Sequence, residues 1–342
     1  MFARQRTLIG LDIGSAVVKA VELSLDKETI TLTGYGSAPV AGADNVEHAI
    51  REALNKGKIH SKRVATSVSG RKVVVRYFPV ESGLNPQQLD EVVRNKAPDF
   101  VPFNLDEVEM DYYPVTLPEP TGDLASKVVL VAAKTEEIEN RVRVLRSAGL
   151  VPDLIDIDTF ALSNAFELWA ANNGISITKK IIALVDIGFI KTTIGILHTG
   201  VSNFSREVYI GTNDMRQAIA KRFSFQDAEA ESLLVNPGDS YDAVRDAIQN
   251  VLEDIGNEIR LSIDFYENQF ETEVNEIYVS GGVTRFPDLV EILGQIFFLP
   301  TNQWNPAQGM NVAPGVDEEA LFREAAQLPI AVGLASRLRK KV

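Results

Sequence analysis

The sequence predicts an α/β protein of two duplicated β-β-β-α-β-type domains that flank a cleft, with a small α/β subdomain inserted into the first. Three observations predict it. The chain has 342 residues, more than a single hydrophobic core usually supports. An apolar strand ending in Asp-Ile-Gly occurs twice, in "LIGLDIGSAVVKAVEL" at 8–23 and "IIALVDIGFIKTTIGI" at 181–196. The copies lie 174 residues apart, about half the chain, and each leads into two more strands and a helix.

The first unit reads as strands at 7–12, 17–23 and 29–35, separated by turn residues at Gly14-Ser15 and Asp26-Lys27. An amphipathic helix follows in "NVEHAIREALNKG". Val46, Ala49, Ile50, Ala53 and Leu54 share one face, Asn45 can cap its start and Gly57 can end it. The strand "RVATSVSG" completes the order. The second unit repeats it with strands at 181–186, 192–197 and 204–210 and a helix from Asn213 to Phe223. Between them, 72–150 reads as the insert: strands at 72–80, 108–115 and 127–133, helices at 86–96 and 135–148, and a loop "LPEPTGD". Further on, 241–270 is one long helix with an apolar stripe from Val244 to Tyr266. "NEIYVSGG" is a strand, and helices are expected at 287–298 and 321–339. The Asn-, Pro- and Gly-rich stretch 301–319 is expected to be the least ordered. The domain boundaries expected are 1–158, 159–326 and a returning helix 327–342.

Composition excludes several classes. There is no cysteine, so no disulfide and no thiolate metal site. The net charge of −13 argues against a nucleic-acid partner. No apolar run reaches the length of a membrane span. The opening apolar run breaks at Asp12, unlike a secretory signal. "RLRKK", Arg337 to Lys341, is the one compact basic cluster and suits a solvated helix end. His48, His60 and His198 are scattered without metal-ligand spacing.

The two Asp-x-Gly turns carry the chemistry. A tight turn exposes backbone N–H groups, and glycine lets an anion approach them. Ser15, Thr192 and Thr193 add hydroxyls, and Lys19 adds a charge that can reach phosphate. Asp12 and Asp186 would repel phosphate unless a cation lies between, a role that hydrated Mg²⁺ fits. Either turn alone reads equally well as a simple hairpin. As a facing pair, Gly14 and Gly188 would grip a polyphosphate from both sides. A third element, Ser280-Gly281-Gly282, ends a strand with bare backbone on which a flat ring can lie. No G-x-x-x-x-G-K-[ST] or G-x-G-x-x-G motif occurs.

These three elements, in this order, resemble the actin-like ATPase superfamily, with its actin-like/ribonuclease H-like fold around a nucleotide cleft. "VPFNLDEVEMDYYPV", "VVLVAAKTEEIENRVRVLRSAGL", "NEIRLSIDFY" and "VNEIYVSGGVTRFPDL" resemble the PilM family of type IV pilus assembly proteins, relatives of the division protein FtsA. The likeness runs from about 8 to 338. It implies ATP and Mg²⁺ as cofactors. Asp12, Gly14, Ser15 and Lys19 match the first phosphate motif, Asp186, Gly188, Thr192 and Thr193 the second, and Gly281 and Gly282 the adenosine motif. Gly211 and Glu231 match further nucleoside-side positions. Two positions depart: Thr212 stands where a second glycine is usual, and Leu234 where a lysine commonly flanks the nucleoside, which implies a weaker ribose grip.

"LIDIDTFALSNA" resembles the first connecting strand and helix, and "AQLPIAVGLASRL" the second. Asp158, with Asp156 behind it, is the candidate to orient an attacking water, and hydrolysis is at most slow. The resemblance implies a cytoplasmic scaffold held at the inner membrane by the N-terminal peptide of a PilN-like membrane protein. Other pilus platform proteins and a second copy of the chain are further implied partners. Phe100, Val101, Pro102 and Phe103 are the expected apolar patch near the peptide groove. The alternatives are a sugar-kinase-like phosphotransferase, for which no polar sugar signature occurs, and an FtsA-like filament protein. The latter would want a membrane-targeting helix after a linker, which the sequence up to Val342 does not supply.

Overall fold

The computed structural model describes residues 6–40, 42, 45–116 and 126–339. The expected loop at 117–123 and the basic residues Lys340 and Lys341 lie outside the described residues. The first lobe opens with β1 (Arg6–Ile13), β2 (Val17–Asp26), β3 (Thr29–Pro39), α1 (Val46–Lys56) and β4 (Arg63–Val68). The insert holds β5 (Val73–Val80), α2 (Pro86–Phe100), β6 (Val108–Thr116) and β7 (Ser126–Lys134). Then come α3 (Thr135–Ser147), β8 (Val151–Ile157) and α4 (Asp158–Asn172). The second lobe has β9 (Ile181–Ile187), β10 (Thr192–His198), β11 (Val201–Val208), α5 (Thr212–Phe223), α6 (Asp227–Val235), α7 (Tyr241–Phe270), β12 (Glu276–Ser280), α8 (Leu289–Phe297) and β13 (Thr301–Gln303), after which β14 (Asn311–Val312), α9 (Glu318–Glu324) and α10 (Pro329–Ser336) return toward the first.

The duplication is explicit in the sheets. The first lobe's strands run β14-β3-β2-β1-β4-β8 and the second's β11-β10-β9-β12-β13. Without β14, the two orders are the same. In both, an antiparallel hairpin pair is continued by parallel strands, so both Asp-Ile-Gly turns fall at the same end of their sheets. The stretch expected to be least ordered is instead structured. Its β13 extends the second sheet, its β14 pairs with β3, and Trp304 between them is buried. The expected final helix is broken into α9 and α10, because Pro329 has no N–H to continue a helix and instead starts a new one. Helix α2 runs through Pro98 to Phe100, with the proline in the last turn.

Between the sheets lie α4 and α10, whose apolar residues form one core with strands of both lobes, from Leu8 and Val21 to Ile182 and Tyr278. The packing is backbone on backbone. A Cβ on Gly333 would fall 1.7 Å from the Ala161 carbonyl oxygen, and one on Gly10 1.9 Å from that of Ala331. No side chain fits at either point.

The insert has its own three-stranded sheet, β5-β7-β6, covered by α2. Phe100, Val101 and Phe103, expected as a surface patch, belong to that small core: Phe100 stacks on Phe78 at 4.9 Å and Val101 is buried. Only Pro102 of the four is exposed. The reason is volume, since a three-stranded sheet with one helix needs its aromatics inside. Helix α3, expected within the insert, packs Leu145 into the first lobe's core, and Leu150 just after it does the same.

The insert also rests on the second lobe. The Tyr77 hydroxyl meets the Ser202 hydroxyl at 3.0 Å. The buried Lys127 ammonium lies 3.4 Å from the centre of the Phe270 ring, with no hydrogen-bond partner among the described residues. Burial pushes its pKa down to about 8, against an ordinary lysine near 10.5. A depressed lysine destabilises the fold while it is charged in both states, below about pH 8. It ceases to do so as pH rises toward the unfolded value. Stability in chemical denaturation is therefore expected to increase between about pH 8 and 10.5. Lys127→Met should unfold at higher denaturant at pH 7 and lose that increase.

Candidate functional site

The two repeated hairpins present unequal chemistry at matched positions. In the first, Lys19 stands across from Asp12 in register, and its Nζ donates to Asp12 Oδ2 at 2.8 Å. In the second, Thr193 stands across from Asp186, and Asp186 Oδ1 accepts from Ser280 Oγ at 2.7 Å. Ser15 is exposed at the tip of the first turn. The second turn is closed by the Gly188 N–H on the Lys191 carbonyl oxygen at 2.9 Å.

The turns face one another. Burial works against the Lys19 charge, but Asp12, Asp186 and Asp158 together hold its pKa above the ordinary value. Burial lifts Asp186 to about 6; Ser280 and Lys19 pull it back, and the neighbouring Asp12 and Asp158 charges push it further up. Asp158 is held the other way. Burial would raise it, but Lys191 and the Ser67 and Ser69 hydroxyls keep it below the ordinary range. Ser67 Oγ donates to Asp158 Oδ1 at 2.6 Å and Lys191 Nζ to Oδ2 at 2.9 Å. Asp156 is not at the cleft's service: Arg337 lies 3.4 Å from its Oδ2, tying the returning segment to β8.

Other expected residues fall into two groups. Gly211 and Gly281 are structural close approaches. A Cβ on Gly211 would fall 2.5 Å from the Phe189 carbonyl oxygen, and one on Gly281 2.2 Å from that of Ile187. Thr212 uses its N–H to bond the Gly188 carbonyl at 2.9 Å, so the residue standing in place of glycine still anchors α5 on the second turn. Leu234, standing in place of lysine, is buried in the second lobe's core. The Thr192 hydroxyl, expected to face phosphate, is fully buried and donates to the Ile210 carbonyl at 2.8 Å. Gly282 keeps room above it, with nothing nearer to a Cβ than Gln327 Oε1 at 3.6 Å. Glu231 on α6 has a buried carboxylate oxygen with no hydrogen-bond partner among the described residues. That orphaned acceptor, the Lys19 charge and the bare backbone at Gly282 fit a nucleotide. Among the described residues no group of three or more acidic, His or Cys side chains could hold a metal directly.

Two residues escaped the sequence reading. Lys191 follows the second turn and bridges Asp158 and Glu207. Arg141, half-buried on α3, feels Asp158 and Asp12 from the insert side, while burial pushes its own pKa down. The spacing "DIGFIK" could have flagged Lys191 as the only cation in that turn.

The family model described as type IV pilus assembly protein PilM matches residues 10–340. The chain is similar to the solved PilM-PilN type IV pilus biogenesis complex at 25% identity and a TM-score of 0.83, over 98% of this chain and 99% of that one. It shares its fold with the ethanolamine utilization protein EutJ from Carboxydothermus hydrogenoformans (14% identity, TM-score 0.56, 98% and 91% covered). The same holds for MreB5 of Spiroplasma citri bound to AMPPNP (12% identity, TM-score 0.50, 96% and 94% covered).

Lys19→Met leaves the Asp12 carboxylate unpaired at a largely buried site. Equilibrium unfolding is expected to show a loss of about 3 kcal/mol. The double variant Asp12→Asn with Lys19→Met should recover more than half of it, which a double-mutant cycle reads directly.

Proposed function

The chain belongs to the type IV pilus assembly protein PilM family, and from that premise we propose that it is an ATP-binding, actin-like scaffold of the pilus assembly platform, docked on the N-terminal cytoplasmic peptide of a PilN-like membrane protein. The observation that carries this reading is the likeness to the PilM-PilN complex along nearly the whole of both chains. Two facing phosphate-type turns across one interlobe cleft support the nucleotide half of it.

In this reading the first turn, at Gly14 and Ser15, and the second, at Gly188, cradle the phosphates. Lys19 supplies charge, Asp12 and Asp186 meet Mg²⁺ through its waters, and Gly282 and Glu231 meet the nucleoside. The nucleotide, when bound, supplies a polyanion that bridges the lobes and stabilises their closed arrangement by mass action. Asp158 is ionised and tied to Lys191 and Ser67, a poor arrangement for freely orienting water. That suits a scaffold whose hydrolysis is slow.

The peptide site in this reading is the outer face of α3 rather than the Phe100–Phe103 segment, which fills the insert's core. An open hollow of about 550 Å³ runs there, lined by Ile138, Glu139, Val142, Arg143, Arg146 and Ser147 of the one helix. Apolar anchors within a mainly basic rim suit a short segment with apolar and acidic residues. No helix among the described residues is long and apolar enough to cross a membrane. Attachment to the inner membrane through a partner's peptide accommodates that.

Calorimetric titration with ATP–Mg²⁺ is expected to show binding by the wild type and at least about tenfold weaker binding by Asp186→Ala, with circular dichroism confirming that the variant is folded. Equal affinity would remove Asp186 from the site. In fluorescence anisotropy, a PilN-like N-terminal peptide should bind the wild type and lose about tenfold or more in affinity for Val142→Asp. Unchanged binding there, or loss in Pro102→Asp instead, would return the groove to the insert.

A further inference from the structure

Edge strand β11 of the second lobe, with Tyr209 just beyond it, meets α4 and the neck at 69–72 that leads from β4 into the insert. Ser205 donates to the Thr159 hydroxyl at 2.8 Å. Glu207 Oε2 accepts the Gly70 N–H at 2.8 Å. Tyr209 receives the Arg71 guanidinium over its ring at 4.7 Å. Gly70 has φ +97°, so the neck turns there in a conformation that favours glycine, and the amide that Glu207 holds is the pivot of that turn. The seam is not solid. A hollow of about 260 Å³ lies along it, lined by residues of the neck and of β11.

Lys191 joins this seam to the phosphate turns. Its carbonyl closes the second turn on the Gly188 N–H at 2.9 Å. Its ammonium donates to Asp158 Oδ2 at 2.9 Å and to Glu207 Oε1. An ammonium has three donors. Two are used, and the third has no acceptor among the described residues. The side chain is 17% exposed and belongs to the second turn, which its own carbonyl closes. Glu207 thus holds Lys191 with one oxygen and the insert neck with the other.

We propose that Lys191 is a phosphate-responsive latch: its third N–H takes an oxygen of the terminal phosphate of a bound nucleoside triphosphate, and the resulting pull on its ammonium changes how firmly Glu207 holds the Gly70 amide of the insert neck. The inference rests on the nucleotide-binding reading above and deepens it. A phosphate competes with Glu207 for the same cation. A diphosphate that does not reach the second turn's far end leaves the latch as drawn. The grip on the neck, and through it the insert, therefore reports whether the nucleotide is a tri- or a diphosphate. Charge-assisted bonds of this kind are strong enough to set a preference of about tenfold.

The test uses the full chain, AMPPNP–Mg²⁺ and ADP–Mg²⁺. Affinities are measured by calorimetry and amide exchange of residues 69–72 by hydrogen–deuterium mass spectrometry. In the wild type, the triphosphate analogue is expected to bind about tenfold more tightly than ADP. The Gly70 segment should exchange several-fold faster with the analogue than with ADP. Lys191→Met should bring both ratios to about one. Glu207→Gln keeps an acceptor for the Gly70 amide but removes the charge; it should retain the analogue preference and lose the exchange difference. Equal wild-type affinities, equal wild-type exchange, or a Lys191→Met variant that keeps either ratio overturns the latch while leaving nucleotide binding standing. Binding of neither nucleotide to the wild type overturns both the latch and the reading beneath it.

Discussion

Charge removed from water is the constraint on which this structure turns. Asp12, Asp158, Asp186 and Glu207 gather where the two lobes meet, and an unpaired carboxylate in such a place is strongly unfavourable. Lys19 answers Asp12 within the first lobe, and Lys191 answers Asp158 and Glu207 across the seam. Asp186 is hydrogen-bonded by the Ser280 hydroxyl, and burial, against the pull of Ser280 and Lys19, raises its pKa to about 6. The Lys191–Asp158 pair also ties the second turn to the start of α4.

At the opposite end of the cleft the lobes are joined by contact rather than charge. Helices α4 and α10 lie between the sheets, pressed so closely that Gly333 and Gly10 cannot carry a Cβ. Arg337 against Asp156 fastens the returning segment beside that pair. The join between the lobes is thus apolar and tightly packed at α4 and α10, and polar and partly hollow beside β11.

Much of this was legible in the residues. The repeated Asp-Ile-Gly strand ends give the duplication, and the matched strand orders follow from it. The long helix 241–270 is read at its true bounds because its apolar stripe is continuous. What periodicity could not supply was tertiary. Two- and three-residue strands such as β13 and β14 carry no period of their own and form only because a sheet edge is there to receive them. Phe100 and Phe103 look like a surface patch in one dimension and prove to be the insert's core. Thr192 matches a phosphate motif, yet its hydroxyl is committed inward to Ile210. Arg141 comes to the cleft from a helix that its sequence neighbourhood assigns to the insert.

Positions 19 and 193 are the same address in the two copies of the hairpin, and evolution has written an ammonium at one and a hydroxyl at the other. The pseudo-twofold relation of the lobes is thereby broken where it matters most. One hairpin carries a Lys19–Asp12 ion pair where the other sets Thr193 beside Asp186. A nearly twofold architecture is thus built from two chemically different halves, and its near-symmetry stops at the turns.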